Sequence, residues 1–212
     1  MNRFPEYSRA ERIADRCVHA AGIILGTLAL GTLALAARAK PTYIALGLVV
    51  YGCGLIGMLG CSALYNLAPP SPRKEWLRRV DHAAIYVMIA ATYTPFALDL
   101  TSRGAGIGLL LFVWAVAACG VALKLAYPRR WERAAIVLYL VLGWCFLAVR
   151  EDFLAAMPRS AIVLLLMGGV FYTGGAAIHH RRGLRYHNAI WHALVLIAAG
   201  CHFAVIAWLF AR

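Results

Sequence analysis

Apolar residues along this chain fall in seven long runs, at 18–37, 42–65, 83–98, 107–127, 134–149, 161–178 and 189–211, each set off by arginine, proline or both. A helix rising about 1.5 Å per residue needs about 20 residues to cross the hydrocarbon slab of a bilayer. The runs therefore predict seven transmembrane helices, the third, fifth and sixth being the shortest. Strands of a membrane barrel alternate polar and apolar positions, and none of these runs does. The expected fold is an all-α, polytopic seven-helix bundle, with a short N-terminal segment at 1–17 and a single transmembrane domain at 18–212. The first run follows basic residues and ends in small ones, as a signal peptide does. It is longer than a signal-peptide core and six runs follow, so it is read as a retained span.

Composition agrees: 63% of residues are apolar and 14% charged, and the mean hydropathy is +0.73. A soluble domain is nearer half apolar and a quarter charged, and a disordered chain needs low hydrophobicity with high charge. The formal charge of +12 does not point to nucleic acid, because the 21 Lys and Arg sit in short segments between apolar runs. Counted on alternate sides of the predicted spans, they divide 15 to 6 in favour of the side that holds the N-terminus. The positive-inside rule then places the N-terminus in the cytoplasm and, with seven spans, the C-terminus outside. The six cysteines form no Cys-x-x-Cys and are expected to be unpaired core residues.

Ionisable and amide side chains in apolar spans are costly and so mark candidate sites. Ser62 and Asn66 lie four apart at the inner end of the second run, which puts them on one helical face. Asp81 and His82 open the third run from the same side, and Asn188 and His192, again four apart, open the seventh. Glu11 and His19 flank the start of the first. On the opposite side Asp99, Glu151 and Asp152 sit among loop residues. The cluster reads either as a site or as interhelical hydrogen bonding, which is common for Ser, Asn and His in membranes. His202, deep in the last run, reads as the latter. Asp81 follows Arg78 and Arg79, so a loop ion pair is its alternative role. His179, His180, Arg181, Arg182 and Arg185 read as a headgroup-contacting patch. Gly22-x-x-x-Gly26 and the glycines at 52, 54, 57 and 60 read as packing signals, and Pro95 as a kink or an end to the third helix.

Three stretches, Ser62-Ala-Leu-Tyr-Asn66, Asp81-His-Ala-Ala-Ile-Tyr86 and Ala91-Thr-Tyr-Thr-Pro-Phe96, resemble the core signature of the haemolysin III family. Gly143-Trp144, Tyr186-His-Asn-Ala-Ile-Trp-His192, Cys201-His-Phe203 and the opening Glu11-Arg-Ile-Ala with His19 match in the same order. The family is similar to the adiponectin and progestin receptors and, more distantly, to alkaline ceramidases. The resemblance implies a zinc ion near the cytoplasmic face, held by histidines in Ser-x-x-x-His on the second span and His-x-x-x-His on the seventh. A serine and a third-span aspartate would support a metal-bound water.

Carried over, Ser62, Asp81 and His192 match that pattern, whereas Asn66 and Asn188 stand where two of the three histidines are expected. Amides are poor zinc ligands beside imidazole. His187, His82 and His19 are candidate substitutes, giving three outcomes: a tight zinc site, a remodelled one, or none. His187 is about 100° around the helix from Asn188 and points off the His192 face unless the helix starts after it. The leading expectation is a haemolysin III-like protein of a bacterial plasma (inner) membrane, acting in lipid or energetic homeostasis with a degenerate metal site. It would contact membrane lipids and hold a lipid-like ligand in the bundle, with neither nucleic acid nor an evident protein partner. The alternatives are a metal-dependent hydrolase of lipid amides or esters, with Asp81 and Ser62 catalytic, and a pore-forming, cytolytic protein.

Overall fold

The computed structural model describes residues 5, 7–100, 105–127, 129–149, 151, 157–181 and 183–210. Arg3, Arg103, Arg150, Asp152, Arg182 and Arg212, which entered the charge and loop readings, lie outside the described residues. The described chain forms seven α-helices: α1 Arg9–Ala37, α2 Thr42–Leu67, α3 Pro72–Asp99, α4 Ala105–Ala126, α5 Glu132–Trp144, α6 Arg159–His179 and α7 His187–Phe210. A 3-10 helix at Cys145–Val149 extends α5. Five helices (α1, α2, α4, α6 and α7) are long and apolar enough to cross a membrane. Their outward faces are themselves apolar: Leu28 is 63% exposed and Leu111 66%. Such surface is unfavourable in water and suited to acyl chains.

Two helices start well before their apolar runs, because capping chemistry sets where a helix begins. Ser8 opens α1 with a capping box: its hydroxyl accepts from the Glu11 N–H at 3.3 Å, and its own N–H donates to Glu11 Oε2 at 2.9 Å. The second half of segment 1–17 therefore belongs to α1. Ser71 caps α3 by accepting from the Lys74 N–H at 3.1 Å, with Pro72 at the first helical position. Pro95 does not end α3, which continues to Asp99.

Helix α1 packs between α2 and α7, α2 against α3, α3 against α4, and α6 against α7, while α5 touches α3 and α6 more thinly. Close approach of α2 to α3 needs glycine: a Cβ on Gly47 would lie 2.9 Å from the Pro95 Cα, and one on Gly54 2.6 Å from the Ala91 Cβ. Gly26 plays the same part between α1 and α2, whereas Gly57 and Gly60 face open space and are not packing positions. The cysteine expectation also needs correcting. All six are unpaired, but Cys17, Cys53 and Cys119 are exposed on the outward faces of their helices, and the other three are only partly covered, Cys145 packing against the core.

The two ends of the bundle differ. At one, Leu33, Leu48, Tyr51, Phe96, Val113, Val205, Ile206 and Phe210 interlock as a buried apolar core. Toward the other, α1, α2, α3, α5, α6 and α7 stand apart around a cavity of about 1430 Å³, with α4 outside the ring and contributing Lys124 alone among the described residues.

Candidate functional site

The open end collects the N-terminal turns of α1, α3 and α7 and the C-terminal turn of α2. Their polar side chains meet around Asp15, which is 9% exposed. His192 Nδ1 lies 2.6 Å from Asp15 Oδ1, and Asn188 Nδ2 donates to Asp15 Oδ2 at 3.2 Å. Asn188 Nδ2 also lies 3.2 Å from Asn66 Oδ1. Asn66 Nδ2 donates to the Ser62 carbonyl at 2.9 Å and sits 3.5 Å from His192 Nε2. A carboxylate only accepts, so the His192 proton sits on Nδ1 and its Nε2 faces the Asn66 amide as an acceptor. His19, one turn after Asp15, stacks its ring 4.4 Å from that of His192. Its Nε2 is 3.5 Å from Asp15 Oδ2 and makes no hydrogen bond.

The entry to α7 is fixed from α1. Tyr186, the residue before His187, has φ 61°, a left-handed conformation costly for an aromatic residue. Its N–H donates to Glu11 Oε1 at 3.0 Å. The Ser8–Glu11 box thus holds both the start of α1 and the turn that aims Asn188 and His192 at Asp15.

Of the residues read from the sequence, Ser62, Asn66, Asn188, His192 and His19 come together. Ser62 also hydrogen-bonds Asp81, so Asp81 faces the site, while its sequence neighbour Arg78 turns to Glu75 at 3.3 Å and Glu132 at 2.8 Å. Arg79 reaches the Leu125 carbonyl at 3.3 Å. Arg78 is 7% exposed and knits α3 to α5, so it is an ion-paired strut and not a headgroup contact. In the α4–α5 turn, Arg129 pairs with Glu75 at 2.7 Å, and that carboxylate raises the guanidinium above its ordinary pKa.

His187 and His82 do not substitute for the missing imidazoles. α7 begins at His187 itself, whose Nδ1–H donates to the Leu184 carbonyl at 3.0 Å and whose ring faces Tyr7 and His179. Neither joins the donor group formed among the described residues by Asp15, His19 and His192. His202 bridges to the Leu165 carbonyl of α6 at 3.3 Å, and its ring fills the space that a Cβ on Gly168 would need, the interhelical role expected of it. Asp15 was the residue missed. Its signal was present, since Glu11, Asp15 and His19 recur every four positions and so share a face.

The implied zinc triad does not fit positions 66, 188 and 192. Asn66 is committed to the Ser62 carbonyl on one side and Asn188 on the other, and Asn188 to Asp15.

An apolar-skinned helical bundle with a polar cluster at one end and a cavity beneath it defines the class: an integral membrane protein. A family model described as "Haemolysin-III related" matches residues 11–203, and the chain belongs to the haemolysin III family. It is 31% identical over 187 residues to "Hemolysin-3 homolog" of Bacillus subtilis (strain 168), covering 88% of each chain. It is 33% identical over 199 residues to "Hemolysin-3" of Bacillus cereus, covering 92% of this chain and 90% of that one. The human "Monocyte to macrophage differentiation factor" is 28% identical over 167 residues, 74% of this chain and 67% of that one. No solved structure matches the chain.

Proposed function

We propose that this protein crosses a bacterial plasma (inner) membrane seven times, N-terminus in the cytoplasm and C-terminus outside. Its role in membrane lipid or energetic homeostasis is to bind a lipid-like amphiphile between its helices. The observation that carries the reading is the cavity of about 1430 Å³, whose polar rim holds Asp15, Ser62, Asp81 and His192 and whose floor holds Ile89, Phe96, Phe146 and Leu165. A site polar at one end and apolar at the other matches a head and a chain. Arg12, Arg16 and Lys74 at the mouth favour an anionic head.

The test is binding of a fluorescent fatty-acyl probe to the detergent-purified chain. Ile89→Trp, which fills the floor, should weaken binding by on the order of tenfold while the protein melts normally. Unchanged binding in that variant overturns the reading.

The Ser62–Asp81 hydrogen bond at the rim of the same cavity favours a second reading, hydrolysis of a lipid amide or ester. That chemistry needs the imidazoles that Asn66 and Asn188 replace; a zinc ion held by them would supply a Lewis acid and an acidified water. Here Ser62 orients the Asp81 carboxyl toward the reacting group. Restoring the expected ligands with Asn66→His and Asn188→His should raise hydrolysis of a ceramide-type amide, and a flat response counts against this reading. Among the described residues, Leu48, Tyr51, Phe96 and Ile206 form a buried apolar plug, which supports binding over a pore.

A further inference from the structure

The geometry points to a metal site displaced from the one the family resemblance implies: Asp15 and His19 of α1 with His192 of α7 form a two-imidazole, one-carboxylate centre for zinc or a similar divalent ion. One donor atom from each lies within 4.8 Å of the other two. Bonds of about 2.0–2.1 Å in a tetrahedron place neighbouring ligands about 3.4 Å apart. The Asp15–His19 separation of 3.5 Å already suits that edge. The 2.6 Å Asp15–His192 contact is a shared proton's distance, and it lengthens when a metal replaces the proton.

An independent observation points to the same place. His19 is 6% exposed and its Nε2 is buried without a hydrogen-bond partner, although it faces a carboxylate. A buried imidazole nitrogen left unsatisfied is costly, and a cation between it and Asp15 removes that cost. The donor chemistry agrees, since two histidines and a carboxylate hold zinc with a fourth position left for water. Asn188 and Asn66 then act as outer partners: Asn188 donates to Asp15 Oδ2 at 3.2 Å, and Asn66 braces Asn188. In this arrangement α1 replaces the imidazoles absent from α2 and from the first position of the α7 pair.

The inference does not depend on what fills the cavity, so its test needs no lipid. The full chain in detergent, stripped with a chelator, is titrated with Zn²⁺ and separately with Co²⁺. The expected result is one ion per chain, a visible spectrum of four-coordinate cobalt without thiolate bands, and zinc X-ray absorption that counts two imidazoles. His19→Gln and Asp15→Asn should each weaken binding by on the order of a thousandfold or more, whereas Asn66→Ala and Asn188→Ala, as outer partners, weaken it by about 10–100-fold. Because Asp15→Asn also loosens the network, His19→Gln and the X-ray absorption of the unmodified protein carry the decision. Two results overturn the proposal: no stoichiometric ion on the unmodified chain, or binding that survives His19→Gln and is lost in the asparagine variants.

Discussion

The two ends of this bundle solve opposite problems with the same helices. At the closed end, Leu48, Tyr51, Val205 and Ile206 are fully buried or nearly so, and glycines let α2 approach α3 to backbone contact. At the open end the helices diverge around a cavity, and side chains that would be costly in lipid satisfy one another: Asp15 with His192 and Asn188, Asn66 with Ser62 and Asn188. Lipid tails offer helices no hydrophobic drive to associate, so close packing must hold the closed end together. That packing lets the open end keep a cavity and an unsatisfied imidazole. The comparison implies a division of labour: substitutions at the closed end act on stability, and those at the open end act on binding as well.

The sharpest way to break this division is Asp15→Ala. Each buried donor left without its acceptor costs about 1–3 kcal/mol, and here the His192 Nδ1–H and the Asn188 amide lose Asp15 together. A fall in melting temperature in detergent with loss of zinc binding is expected. Next, Leu48→Ala at the closed end should cost about 2–5 kcal/mol through the space it leaves, with zinc and acyl-probe affinities unchanged. A shift in either affinity would blur the boundary between the ends. Arg78→Ala should cost about 1 kcal/mol, because Glu75 keeps Arg129 at 2.7 Å and the partly exposed Glu132 side chain is left to solvent, read as lower melting and as easier proteolysis of the α4–α5 turn. Smallest is Glu11→Ala, a slight fall in melting temperature from the weakened capping box. It also frees the Tyr186 N–H, so zinc affinity should fall by more than its stability cost alone implies, because the aim of α7 loosens.

How much of this was legible in the sequence differs between the two ends in the same way. The helices follow from apolar runs, since hydropathy reports the membrane slab directly. Where α1 and α3 begin does not, because Ser8 and Ser71 set those starts in polar sequence outside the slab. The polar end was readable as a list, Ser62, Asn66, Asp81, Asn188 and His192, because four-residue spacing shows which neighbours share a face. The contacts between helices were not readable. Asn66 meets Asn188 across 122 residues of chain, and that register depends on how α2 and α7 pack. Asp15 escaped notice because it precedes the first apolar run and looks like one charge among several there. Only its four-residue spacing from Glu11 and His19 sets it apart. The cysteines misled for a related reason: an apolar run shows that a residue is in the membrane, not whether it faces protein or lipid.

The most direct test of the account is zinc stoichiometry measured side by side on Leu48→Ala and His19→Gln, after both are shown to be folded in detergent. The account predicts one ion per chain in the first, whose defect lies in the closed end, and none in the second. Equal zinc in the two variants, whether one ion or none, would contradict the claim that Asp15, His19 and His192 hold the ion.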